Sequence, residues 1–142
     1  MPLQLEIVTP EKLAYQGEVD SDQLPGSEGE LGVLPHHAPL ISTLGAGELR
    51  LRKGGEDEFF AIVGGFLQVL PDKVVVMAET ADMASEIDLE KAQEARRQAE
   101  QALESGYVEG ADLAAARASL QASLIRIRVA ERRHREGPRR RV

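Results

Sequence analysis

The hydrophobic period of this chain changes once, near Ala84, and that change limits the folds open to it more than any motif does. Before it the pattern has period two. Leu3, Leu5 and Ile7 alternate with Gln4 and Glu6, and Leu49 and Leu51 with Arg50 and Arg52. Successive side chains of a strand point to opposite faces, so such alternation marks half-buried strands. The runs EFFAIV, FLQVL and KVVVMAE are short, apolar and rich in Val, Phe and Ile. Turn formers separate the runs, at Thr9-Pro10, Pro25-Gly26, Gly45 to Gly47, Gly54-Gly55, Gly64-Gly65 and Pro71-Asp72. Many short strands with this punctuation predict an antiparallel sandwich or barrel. With no helical period among them, a parallel sheet is not expected.

Beyond Ala84 the period becomes helical. Asp88 is placed to cap a helix, its carboxylate accepting amide hydrogens of the first turn. The stripe Leu89, Ala92, Ala95, Ala99 and Leu103 follows, and Ser105-Gly106 ends it. Asp112 is placed to cap a second helix with the stripe Leu113, Ala116, Leu120, Leu124 and Ile127, stopped by Gly137-Pro138. The pair reads as a helical hairpin whose second arm is roughly 35 Å long at 1.5 Å per residue. Two parts are expected, a β-domain over 1–84 and a hairpin over 85–142. Alanine favours helix but buries little surface, so alanine-rich stripes hold a hairpin weakly to anything else. A detachable hairpin and a fixed one sealing the sheet edge both satisfy this pattern.

Charge is distributed unevenly. The 142 residues carry a net −7. Residues 126–142 hold eight arginines against Glu131 and Glu136, so that stretch is +6 and the rest of the chain −13. An acidic body with a basic end implies an electrostatic contact with an acidic partner. IRIRVAERRHREGPRRRV has no aromatic residue for base stacking, and the acidic body repels a polyanion, which favours a protein surface over nucleic acid. Cysteine is absent, which removes disulfides and thiolate chemistry. The N-terminus lacks the pattern of a secretory signal, and no window approaches the ~20 apolar residues of a membrane span. A soluble protein, or one peripheral through a partner, is expected.

No catalytic site emerges. His36 and His37 are neighbours that point apart in an extended chain, and His134 is remote in sequence, so the roughly three ligands of a zinc site are not gathered. Gly26, Gly29 and Gly32 match neither phosphate-binding glycine motif and are interleaved with Glu28 and Glu30. They read as turn residues. No Gly-x-Ser-x-Gly is present, and pairs such as Glu90/Glu94 read as solvated helix charge.

The residues LPGSEGELGVLPHHAPL, from Leu24 to Leu40, with LGAGELRLR and GGFLQVLPDKVVVMAETAD after them, resemble the epsilon subunit of bacterial F-type ATP synthases along nearly the whole chain. The resemblance implies a flattened antiparallel sandwich of about ten strands followed by two antiparallel helices. It implies a non-catalytic central-stalk subunit with no required cofactor. Its sandwich would bind the gamma subunit and the c-ring and rotate with them, coupling rotation to ATP synthesis. Its place would be the cytoplasmic face of the membrane, touching the membrane only through the complex, with no nucleic acid involved. Glu28, Glu30 and His37 fall in the segment that corresponds to the rotor-facing loop and its adjoining turn. Arg126, Arg128, Arg132 and Arg133 fall where the second helix, when extended along gamma, meets an acidic loop of the beta subunit within the alpha–beta head and inhibits hydrolysis.

Some members of that family also bind a regulatory ATP on the folded hairpin. The corresponding candidates are Asp88, Lys91 and Arg126, with Lys91 in place of the motif arginine and Gln98 in place of a second one. Lysine keeps the charge but loses the planar fork that grips phosphate. The other reading of these residues is a helix cap plus solvated charge. A different class of function also stays open, a free-standing adaptor whose arginine-rich tail binds nucleic acid or anionic lipid.

Overall fold

The computed structural model describes residues 3–26, 29–33, 39–106 and 109–136, without the side chains of 25–33 and 133–136. Eight strands lie among them: β1 (Leu3–Val8), β2 (Leu13–Val19), β3 (Ser21–Gly26), β4 (Gly29–Val33), β5 (Leu40–Thr43), β6 (Gly47–Lys53), β7 (Glu56–Val69) and β8 (Lys73–Met83). They form a sheet in the order β2-β1-β8-β7-β6-β3-β4, with β5 paired to β7. A short 3₁₀ turn, Ala84–Glu86, leads to α1 (Leu89–Ser105) and α2 (Gly110–Glu136).

The sheet folds over on itself because β7 and β8 change phase along their length. In β7, Phe60 and Ile62 point into the main core before the bend, and Leu67 and Val69 after it, a switch from even to odd positions. β8 answers with Val74, Val76 and Ala78 on one side and Ala81 on the other. The switch sits at Gly64 and Gly65, whose φ values of 63° and 119° are open chiefly to glycine. Leu3, Leu5 and Ile7 of β1 complete this core with Leu24, Leu49 and Leu51.

Two sequence expectations are corrected here. Gly64-Gly65 does not separate two strands. EFFAIV and FLQVL are one 14-residue strand that keeps its ladder to β8 on both sides of the bend, which is one reason the count falls short of ten. The sheet is also not purely antiparallel, since β1 runs parallel to β8 from Gln4↔Lys73 to Val8↔Met77. Parallel neighbours need a long crossover, usually a helix. Here the chain from β2 to β7 supplies it, so no helical period was required.

The hairpin forms as its stripes predict, with adjustments. The Asp88 carboxylate accepts the Lys91 amide hydrogen at 3.1 Å, and Gly106 ends α1 in the left-handed region at φ 73°. Ala92 and Ala99 are buried. Helix α2 begins at Gly110, so Asp112 sits inside its first turn, where it favours the helix dipole without being the cap. Its 27 residues span about 40 Å. Ile127 of the predicted stripe is buried, but Leu124 is 42% exposed, and Ile125 and Val129, outside that stripe, form a buried face of their own. Replacing Asp88 with alanine should cost the hairpin about 1 kcal/mol, the usual value of an N-cap. Amide exchange should quicken in the first turn of α1 while the urea midpoint of the sandwich holds. An unchanged first turn would mean that the cap does not anchor the helix.

Candidate docking surfaces

Phe59 and Phe60 are adjacent in a strand, so they must face opposite sides, and both are buried. Phe60 enters the main core. Phe59 and Ala61 lie on the outer face and form a second cluster with Ala84, Ile125 and Val129, edged by Ala46 and Ile87. Helix α2 therefore lies on β6, β7 and the 3₁₀ turn, and α1 packs against α2.

Charge brackets this cluster. Glu48 of β6 and Asp82 of β8 stand on either side of Ala61 in one cross-strand row. Two strand spacings put their backbones roughly 9.5 Å apart. Arg126 and Arg132 are six residues apart on α2, about 9 Å of helical rise. The two separations match. Arg126 Nε donates to Asp82 Oδ2 at 2.9 Å, and Arg132 Nε lies 2.9 Å from Glu48 Oε2. The Arg132 guanidinium also covers the Phe59 ring at 5.2 Å from its centroid. Ala61, between the two carboxylates, is small enough to let the helix close down.

Energies divide unequally between these contacts. Arg126 and Arg132 side chains keep 30% and 39% of their exposure, which limits each ion pair to about 1 kcal/mol or less. Burying Ile125 or Val129 is worth about 1.5–3 kcal/mol each. Apolar contact holds the hairpin, and the arginines fix its register.

The sequence-derived candidates separate on the structure. Arg126 and Arg132 come together on the chain's own carboxylates, while Arg128 is exposed on α2. Arg133 lies in α2 with its side chain outside the described residues. Glu28 and His37 fall outside them too, and Glu30 is placed only by its backbone, opposite Pro25 in the β3–β4 ladder. Of the nucleotide candidates, Asp88 is occupied as a helix cap, Arg126 is occupied by Asp82, and Lys91 is exposed. Sequence reasoning missed Glu48 and Asp82. The one available signal was the continuous apolar run around Phe59-Phe60, which marks a strand covered on both faces.

Among the described residues a second surface is left uncovered. Phe66 is 55% exposed, Met77 46% and Ile41 73%. Phe66 and Met77 are cross-strand partners on β7 and β8, and Ile41 of β5 pairs with Gln68 two residues along on the same face. Beside them Val8, Thr9, Pro10, Gly65, Ala78 and Glu79 line a shallow groove of about 390 Å³. Contiguous exposed apolar surface of this kind marks an interface. Among the described residues no helix is long and apolar enough to cross a membrane.

Comparison with known proteins gives this arrangement its context. The family description "ATP synthase, Delta/Epsilon chain, beta-sandwich domain" matches residues 2–84, and "ATP synthase, Delta/Epsilon chain, long alpha-helix domain" matches 85–131. The ATP synthase epsilon chain of Dehalococcoides mccartyi is 47% identical over 131 residues, covering 92% of this chain and 94% of that one. That of Herpetosiphon aurantiacus is 45% identical over 137 residues, covering 96% of this chain and 100% of its own length. A chain in the Euglena gracilis mitochondrial ATP synthase structure, described as OSCP/F1/c-ring in rotational state 1, superposes with a TM-score of 0.74 at 26% identity, over 87% of this chain and 78% of that one. The sandwich, the hairpin laid on it and these matches over nearly the full length have one meaning: the chain belongs to the family of ATP synthase epsilon chains, subunits of an enzyme complex.

Proposed function

We propose that the chain is a non-catalytic rotor subunit of the central stalk, at the cytoplasmic face of the membrane, with a hairpin that acts as a reversible brake on ATP hydrolysis. The apolar face of Ile41, Phe66 and Met77 docks the gamma subunit. The segment from Gly26 to Leu40, with Glu28, Glu30 and His37, meets the c-ring. The observation that carries the reading is the pairing of Arg126 and Arg132 with Asp82 and Glu48. These two helix cations are satisfied in the folded hairpin, and an acidic loop of a beta subunit offers them the same chemistry when the hairpin extends. Arg128 and Arg133 would join them there, within the alpha–beta head.

A few kcal/mol reverse a two-state population, and the docked interface is of that size. A regulatory nucleotide held by Asp88, Lys91 and Arg126 would have to displace both the helix cap and the Asp82 pair, so it is not needed to hold the folded form. The adaptor reading is not favoured, because family membership accounts for the fold and the chain's own carboxylates already engage two of the arginines it would need.

The test compares ATP hydrolysis by the matching alpha-beta-gamma core alone, with the full chain, and with a chain ending at Glu86. Both forms should bind, and only the full chain should inhibit. Equal activity with both would remove the brake and leave the docking role. Failure of both to bind would remove the docking role itself.

A further inference from the structure

Strand β3 carries a residue at odds with its surroundings. Asp22 is 2% exposed, and neither carboxylate oxygen has a hydrogen-bond partner among the described residues. It stands opposite Leu51 of β6 and Val33 of β4 in register, and Leu24, two residues along the same face, is wholly buried. An ionised carboxylate in such a place loses its hydration and gains nothing in return. Burial accordingly pushes the Asp22 carboxyl up from 3.8 to about 7.

The charged groups around it do not relieve the burial. Arg50 and Arg52 flank Leu51 on the opposite face of β6, where Arg50 donates to Gln23 at 2.7 Å and Arg52 to Asp57 at 2.9 Å. Asp20 accepts the Gly54 amide hydrogen at 3.0 Å. On Asp22's own face, Glu58 of β7 pairs with Leu51 and so lies in the same cross-strand row, two strand spacings or roughly 9.5 Å away. Tyr15 of β2 lies across the core, its hydroxyl proton held more tightly by burial and by Glu58. Neither residue brings a positive charge to Asp22, and burial alone accounts for its raised value.

We propose that Asp22 makes the β3–β4 hairpin a proton-responsive element: the neutral carboxyl seals β3 on β6, and its ionisation loosens that pairing. The proton passes between the carboxyl and water, with no other reactant. Because the folded chain holds this proton more tightly than the unfolded one, the contribution to stability is complete below about pH 4. It is lost as pH rises from there through about 7. Three pK units correspond to roughly a thousand-fold change in the opening equilibrium. The consequence for a rotor contact carried by this hairpin rests on the docking reading above, whereas the titration does not.

The test uses the full chain alone, so its outcome is independent of docking. The carboxyl carbon of Asp22 is followed by NMR from pH 4 to 9, with exchange protection of the Ser21–Leu24 and Leu49–Arg52 amides read in parallel. A midpoint near 7, with protection falling by up to roughly a thousand-fold between about pH 4 and that midpoint, level above it and flat throughout in Asp22→Asn, is the expected result. A midpoint near 4 overturns the proposal. So does a midpoint near 7 with unchanged protection, or an identical protection profile in Asp22→Asn. If the variant does not fold, the wild-type titration and its protection profile still decide.

Discussion

Gly65→Ala should cost the sandwich about 3 kcal/mol or more, a large part of the roughly 5–15 kcal/mol that holds a domain of this kind. A Cβ at this position would lie 2.0 Å from the Met77 carbonyl oxygen and 2.8 Å from the Ala78 Cα. Both are backbone atoms of the paired strand, so neither can swing aside. The φ of 119° adds strain for any residue with a side chain. The neighbouring Gly64 is the internal control. At φ 63° the atoms nearest its Cβ would be those of the flexible Glu79 side chain, from 3.1 Å. Gly64→Ala should therefore cost about 1 kcal/mol. Urea unfolding of both variants measures the difference, and a Gly65→Ala midpoint close to that of Gly64→Ala would show that the bend tolerates a side chain.

Val129→Asp should release the hairpin while the sandwich stays folded. Val129 is wholly buried against Phe59, Ala61 and Ile125. A carboxylate there would be desolvated with Phe59 beside it, at a cost of several kcal/mol, and extending the hairpin relieves it at once. Removing either arginine instead should shift the docked population by about 1 kcal/mol or less. The expected observations are rapid amide exchange at Phe59 and Ala61, a larger radius of gyration by X-ray scattering, and an unchanged exchange pattern in β1 and β8. Compact dimensions in Val129→Asp would mean that the hairpin is held by something other than this cluster. In the reconstituted core, the same variant should inhibit hydrolysis more strongly than the wild-type chain.

Much of this was legible in the residues because local rules settle it. Alternation in LQLEIV and ELRLRK, and the three- and four-residue spacing after Asp88, are properties of a strand or a helix by itself. Asp88 and Gly106 mark helix ends for the same reason. Contacts between distant segments were not legible. The parallel β1–β8 pairing joins residues about seventy positions apart, and no local period announces it. Gly64-Gly65 reads as a turn because positive φ usually ends a strand, yet here the ladder to β8 holds both sides in place. Leu124 fits the three-and-four spacing as well as Ile125 does, and only the position of Phe59 decides which is buried. Among the docking residues, the basic character of α2 was plain. The acidic row of Glu48 and Asp82 depended on the register of three strands.

Strand β8 has a mechanical consequence. It is clamped along its length, by β1 from Lys73 to Met77 and by β7 from Val74 to Met83, and the hairpin hangs directly from its far end. A pull on the hairpin enters the middle of the sheet along a strand axis. It loads many ladder bonds together in shear and does not peel an edge strand bond by bond. The sandwich is thus a rigid mount, and a force applied to the helices is spent at the weaker seam under α2 before it reaches the core. A lever built this way can be torn from its resting place repeatedly without its bearing coming apart.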